Sequence, residues 1–320
     1  MLHKCHVIVG GENLIDRVQK KSIKGNSESV DSLGGSPYNV AVALARQKVK
    51  TSYITPISLD SYGIKLAYNL NQEGVKIASK RNYKPTTMAI VSLNDGIPSY
   101  AFQRKNTAER LVTTSSIKAS IPADATHLHV GSLAFAGGSD ADAWEFSFHE
   151  AFNNGLTTSL DPNIRETLIE NSDTFRERFK RLLKSTNILK LSNEDLSWIY
   201  PGRTQQNAIN QLQSQTSAEL IVLTKGAEGA ECWTSEFHVV MPNHKNIKML
   251  DTIGAGDTFM ATMLAFCISS KLLLPGSIKA PDENQINCLL KRCITAALLN
   301  CSKIGCDPPT HEAINNADEE

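Results

Sequence analysis

Short apolar runs alternate with amphipathic stretches along most of this chain. Cys5–Gly10 (CHVIVG), Thr51–Leu59, Thr126–Ala134, Leu156–Pro162, Thr186–Ser192 and Glu219–Gly226 each predict a strand. Between them, Val40–Gln47, IKLAYNLNQEG from Ile64 and DADAWEFSFHEAFNNG from Asp140 carry apolar residues at helical spacing. Such alternation predicts an α/β fold, a mostly parallel sheet with helices on both faces. Two segments break the rhythm. Arg17–Ser32 is polar with alternating character, and Thr86–Asn106 holds two strand-like runs joined by Asn94, Asp95 and Gly96, a hairpin signal. Both are predicted to form a small antiparallel β lid, residues 17–33 and 86–106, on a single domain spanning 1–320. The polar end NNADEE is expected to fray.

Charge changes this picture little. The 33 basic residues balance the 33 acidic ones, so no nucleic-acid partner is expected. The densest basic run, Arg176–Lys184, keeps Phe175, Phe179, Leu182 and Leu183 on one stripe and reads as a solvated helix face. No apolar run approaches the ~20 residues that span a bilayer, and the first apolar stretch soon meets Gly10, Gly11 and Glu12, unlike a signal peptide. No membrane partner is expected. Seven cysteines, an odd number in a chain long enough to need no staples, point to a reducing, cytoplasmic setting. Cys288, Cys293, Cys301 and Cys306 are spaced too widely for zinc pairs and read as core positions.

The chemistry concentrates in LDTIGAGDTFMATMLAF, Leu250–Phe266. Gly254, Ala255 and Gly256 can turn successive N–H groups toward one point at the start of a helix, an anion hole. A carboxylate there repels a phosphate unless it takes the proton from an attacking hydroxyl while the amides hold the transferring group. Asp257 could equally be an N-cap, and on this stretch alone both readings stay open.

LGGSPYNVAVALARQ from Leu33, LDPNIRETL from Leu160, KLSNEDL from Lys190, VLTKGAEGA from Val222 and DTIGAGDTF from Asp251 stand in this order. In that order they resemble the blocks of the ribokinase-like, or PfkB, carbohydrate kinase family, over a span from Gly10 to Pro309. Nucleotide fingerprints of other folds are missing: there is no G-x-x-x-x-G-K-[ST], and VGGEN lacks the G-x-G-x-x-G spacing. The resemblance implies a ribokinase-like fold and a kinase using ATP and Mg²⁺. It makes Asp257 the base, with Gly254, Ala255 and Gly256 as its anion hole. Asp16, Gly34, Gly35 and Asn39 match the sugar-contacting positions. Lys190, Ser192, Thr224, Gly226 and Gly229 match the nucleotide side. Asp251 and Thr252 match positions that help ligate a monovalent cation such as K⁺ in part of the family. The family's Asn-x-x-Glu pair, which organises Mg²⁺ through water, falls on Ser192 and Asp195. Neither is the usual type, and SNED is also a good helix start.

Ser36-Pro37 after the glycine pair, HVGSLA from His129 and DPNIR from Asp161 look most like bacterial fructokinases. Fructose, phosphorylated on its terminal hydroxymethyl group, is therefore the expected substrate. Ketodeoxygluconate kinases share the DPNxR block, and Arg165 with Arg104 would suit their acid substrate. Ribokinases remain a third branch, and Tyr38 is expected to narrow or re-aim the sugar pocket. A non-catalytic sugar binder of the same fold is the alternative of different class, and a homodimer through the lid is a further expectation from relatives.

Overall fold

The computed structural model describes residues 5–21, 27–94, 97–245 and 247–319. The chain opens with β1 (His6–Gly10), buried throughout, with Val7 and Val9 turned to one core and Ile8 to the other. A strand covered on both faces has this composition. An antiparallel pair follows, β2 (Leu14–Lys21) and β3 (Ser27–Gly34), then α1 (Ser36–Arg46). β4 (Lys50–Tyr53), α2 (Ser61–Gln72) and β5 (Lys76–Ile77) lead to a second antiparallel pair, β6 (Thr87–Asn94) and β7 (Ile97–Gln103). The alternation resumes with α3 (Thr114–Ser120), β8 (His127–Gly131), α4 (Ser139–Asn153), β9 (Thr157–Asp161), α5 (Ser172–Leu183) and β10 (Ile188–Ser192). Next come α6 (Asn193–Ile199), α7 (Gln205–Gln215), β11 (Leu220–Thr224), β12 (Ala230–Trp233) and β13 (His238–Met241). The long α8 (Ala255–Ser269), the short pair β14 (Leu273–Leu274) and β15 (Ser277–Ile278), α9 (Glu283–Cys301) and α10 (His311–Glu319) complete the order.

Among the described residues, nine strands form one sheet in the order β13-β12-β11-β10-β9-β8-β1-β4-β5. Those from β11 to β5 run parallel, as predicted, and β12 and β13 extend the β11 edge antiparallel. Two predicted strands stop early. The run from Thr51 leaves the ladder after Tyr53, ahead of Pro56, which has no N–H to donate. The run from Thr126 ends at Gly131, where Ser132–Phe135 folds into a 3₁₀ turn. One apolar core lies under α1, α2, α8 and α9, and the other under α3 to α7. α8 is apolar all round, and Met260, Ala261, Met263 and Leu264 are buried where it packs between α1 and α9.

The lid is a separate four-stranded sheet, β3-β2-β6-β7. Its two hairpins are antiparallel, but β2 and β6 meet along a parallel seam. The expected turn residues Asp95 and Gly96 lie outside the described residues, as do residues 22–26. Asp60 ties the lid to the body. Its carboxylate caps α2 at the Gly63 amide and accepts from the amide and hydroxyl of Thr86, each at 2.7 Å. Arg17 of β2 pairs with Asp31 of β3 and donates to the Tyr62 hydroxyl of α2 at 2.6 Å.

The basic stripe of α5 is not wholly solvated: Arg178 is buried and pairs with Glu145 and Asp142 of α4. Cys5, Cys232, Cys267, Cys293 and Cys301 are free and buried, Cys306 is half-buried and Cys288 is exposed. No helix among the described residues is long and apolar enough to cross a membrane.

Candidate active site

The site forms where the turn Asp251–Gly254 swings into α8. Gly254 adopts a left-handed φ of 77°, and a Cβ built there would meet Cys306 Sγ at 2.2 Å. Only glycine satisfies both constraints. The Ala255 amide bonds the Thr252 carbonyl (3.2 Å) and the Thr258 amide bonds the Gly254 carbonyl (2.8 Å). The amides of Gly256 and Asp257 belong to the first turn, which has no preceding carbonyls, and no side chain caps the helix. Two N–H donors thus remain at the positive end of α8.

Asp257 is 6% exposed. Its Oδ1 accepts from Ser36 Oγ at 2.7 Å and its Oδ2 from Asn39 Nδ2 at 2.8 Å, both on α1. The side chain therefore points away from its own helix start and does not act as the N-cap. Burial raises its pKa, while the bonds from Asn39 and Ser36 and the charges of Lys190 and Arg165 oppose that rise. A buried carboxylate held at a fixed angle, with raised proton affinity, has the properties of a general base.

Asp16 of β2 reaches over Gly34, where a Cβ would come within 2.2 Å of its Oδ2, so the glycine makes room for the carboxylate. Burial raises the Asp16 pKa to about 6, with Arg165 opposing and Asp257 adding to the shift. Asp16, Arg165 and Asp257 thus share one electrostatic neighbourhood. Gly35 is the N-cap of α1. Arg165 is exposed on the rim, its Nη1 bonded to Asn163 Oδ1 at 2.7 Å.

Two expectations about the sugar pocket are corrected. Arg104 does not present a free guanidinium to the cleft. It is 7% exposed, pairs with Glu109 (Nε–Oε1 2.8 Å), and places Nη2 on the Leu133 carbonyl (3.0 Å) and near Asp140 (3.4 Å). Tyr38 does not line the pocket either. It is buried toward α2, where its hydroxyl donates to the Leu66 carbonyl and accepts from Asn69.

Behind the anion hole, Lys190 Nζ donates to Asp161 Oδ2 at 2.8 Å and lies 3.0 Å from the Cβ position of Gly256. Burial works against its charge, but Asp161, then Asp195 and Asp257, outweigh it and raise the Lys190 pKa. Asp161 is fully buried, which lifts its pKa to about 6 against the pull of Lys190, and its Oδ1 has no hydrogen-bond partner. Ser192 and Asp195 form a capping box at the start of α6 (2.9 and 3.0 Å), and Asp195 Oδ1 accepts from the Ile164 amide at 2.7 Å. This is the helix-start alternative: both oxygens of Asp195 serve backbone amides, and one of them anchors the DPNIR segment beside Asp161.

Thr224 pairs in register with Ser192 at the end of β11. After it, Gly226 begins a short turn and Gly229 packs on the Met241–Asn243 backbone, so that glycine serves the chain itself before any ligand. Lys225 pairs with Glu231 at 3.0 Å. The Asp251 carboxylate accepts from the amides of Ile253 (3.1 Å) and Gly305 (2.9 Å), fastening the turn before α8 to the segment after α9. Thr252 is exposed on that turn.

Glu12, Ser36 and Asp161 belong to this assembly without having been singled out from the sequence. Asp161 and Ser36 sit inside blocks that carry the family resemblance. Glu12 follows Gly10-Gly11, and only its burial marks it.

Carboxyl strand ends, an uncapped helix start, a buried carboxylate at its mouth and an ammonium behind it are an arrangement suited to phosphoryl transfer. The chain belongs to the pfkB carbohydrate kinase family, whose model matches residues 6–311. It is 32% identical over 282 residues to a fructokinase of Rhizobium leguminosarum bv. trifolii, covering 88% of this chain and 85% of that one. The fold superposes on the fructokinase of Xylella fastidiosa solved with bound ATP at a TM-score of 0.88, with 24% identity and 99% of each chain covered. It also superposes on the fructokinase of Vibrio cholerae O395 solved with fructose, ADP and a calcium ion, at a TM-score of 0.82, 22% identity and 98% of each chain.

Proposed function

We propose that this carbohydrate kinase transfers the γ-phosphoryl group of ATP to the terminal hydroxymethyl group of fructose. The observation that carries the reading is the buried Asp257 carboxylate, aligned by Ser36 and Asn39 at the open start of α8. In it, Asp16 accepts hydrogen bonds from sugar hydroxyls, and Gly34, Gly35 and Asn39 shape the approach of the ring. Asp257 takes the proton from the attacking hydroxyl as the phosphoryl group passes in line. The amides of Gly256 and Asp257, in the Gly254–Ala255–Gly256 hole, and the Lys190 ammonium hold its oxygens. Thr224, Gly226 and Gly229 flank the nucleotide.

Among the described residues no three His, Cys, Asp or Glu side chains cluster as metal ligands. The unpartnered Asp161 Oδ1 would hold a hydrated Mg²⁺ through water, since Mg²⁺ keeps most of its waters. When bound, it would neutralise phosphate charge. Asp195 supports this from behind through the Ile164 amide. Asp251 and Thr252 stand as the candidates at a monovalent-cation loop.

A neutral sugar suits Asp16. An acid sugar would meet its carboxylate with Arg165 as sole counterweight, because Arg104 is held in its buried pairs. The test is ADP release with Mg-ATP and a sugar panel: kcat/KM is expected to be highest for fructose, ahead of ribose and ketodeoxygluconate. A win for ketodeoxygluconate would overturn the sugar, and no turnover with any sugar would favour the non-catalytic binder.

A further inference from the structure

Glu12 lies in the turn after β1 and is 2% exposed. Its Oε1 accepts from the Ser36 amide at 3.0 Å and its Oε2 from the Leu133 amide at 3.1 Å. Ser36 is the first residue of α1, whose N-cap, Gly35, has no side chain to satisfy it. The carboxylate thus caps the positive end of α1 from a distance in sequence. The residue it holds by the amide presents its hydroxyl to Asp257 Oδ1 at 2.7 Å. On the other side, Leu133 accepts from Arg104, which pairs with Glu109, and Glu109 accepts from Thr87 Oγ1 at the start of β6. One carboxylate therefore joins the helix that aligns the catalytic carboxylate to the footing of the lid.

We infer that Glu12 is a positioning residue for phosphoryl transfer, setting the Ser36 hydroxyl that fixes Asp257. The inference rests on Asp257 being the base. Ionised, Glu12 can accept from both amides at once. Protonated, or replaced by an amide, one side of the group becomes a donor and faces an N–H, so one of the two bonds is lost. Burial lifts the Glu12 pKa to about 7; Arg104 lowers it and Glu109 raises it. The groups that face it are Arg104 and Glu109 at the lid footing, Tyr53 of β4 and Ser132 after β8.

Glu12→Gln should lower kcat at pH 8.5 by about tenfold to a hundredfold, the loss of one charge-assisted bond, with little change in ATP affinity. The ratio of wild-type to variant kcat should shrink toward one near pH 6, because wild-type Glu12 itself then takes a proton. A ratio that stays constant with pH, or equal rates at pH 8.5, would overturn the inference. Should Glu12→Gln not fold, Ser36→Ala serves: it keeps the Ser36 amide bond and removes the link to Asp257. Its kcat should fall by about tenfold and lose the pH-dependent component near 7, and a wild-type rate and profile would overturn the inference. The Asp257→Asn variant separates the two claims. If it turns over normally, the base assignment falls. If it is inactive while the Glu12→Gln ratio stays flat, only the role of Glu12 falls.

Discussion

α1 and α8 start the same way and end up doing opposite things. Each begins after a glycine of positive φ, 109° at Gly35 and 77° at Gly254, and neither has a side-chain N-cap of its own. The two starts face each other across the Ser36–Asp257 bond. At α1 the first two positions offer no free donor: Glu12 takes the Ser36 amide, and Pro37 has none to offer. At α8 the amides of Gly256 and Asp257 stay unpaired, and the nearby carboxylate is turned toward α1. A built-in carboxylate makes the first start a piece of architecture. The second keeps its positive end open. Two similar glycine turns are thus told apart by where the neighbouring carboxylate points.

The most severe way to break this contrast is Asp257→Asn. It keeps the shape but removes the proton acceptor, and kcat should fall by about 10²–10⁴-fold while nucleotide binding, followed by titration calorimetry, stays near wild type. Retained turnover would mean that the open helix start suffices alone.

Gly254→Ala asks whether the open start needs its left-handed turn. Strain at that φ and the approach to Cys306 Sγ should cost about 1–3 kcal/mol in urea unfolding, with kcat reduced. Adding Cys306→Ala should recover only the part due to Sγ, because the Cβ it keeps is still 2.7 Å away, and should leave at least about 1 kcal/mol. Full recovery would show that the turn itself is unstrained.

The smallest effect concerns the charge between the two starts. The Asp16 pKa is raised from 3.8 to about 6, so the folded chain holds that proton more tightly than the unfolded chain. Its contribution to stability is fully present below pH 3.8 and is lost as pH rises through 6. Asp16→Asn should therefore stabilise the fold at pH 8 by about 1 kcal/mol after allowance for solvent screening, while the sugar KM rises. A variant that gains no stability, or keeps its sugar KM, would place the cleft charge elsewhere.

What the sequence revealed and what it hid divide by range. The alternation of strands and helices is a local pattern, so the parallel sheet and both helical faces were legible from it. The glycine turn before Asp257 was legible too, because its geometry is written in four adjacent residues. The partners were not. Arg104 looks like a lid cation until Glu109, Asp140 and the Leu133 carbonyl close around it. Tyr38 looks like a pocket residue until α2 packs beside it. Asp195 reads as a Mg²⁺ contact through water or as a helix cap, and the Ile164 amide that it also accepts from lies 31 positions away. The parallel seam of the lid joins β2 to β6 across α1 and α2, a pairing that no local pattern encodes.

The bond between Ser36 and Asp257 spans 221 positions of chain, and this bears on how the protein is made. Synthesis runs from the amino end, so Asp16, Gly34 and Asn39 leave the ribosome long before Asp257. α8 then has no finished groove until α9 has followed it, because its apolar surface is covered from both sides. A chain halted anywhere before that point carries Asp16 but no Asp257 aligned by Ser36 and Asn39. Unfinished copies would therefore lack the Ser36–Asp257 bond, and α9, which brings no residue of its own to that bond, completes the groove that holds it.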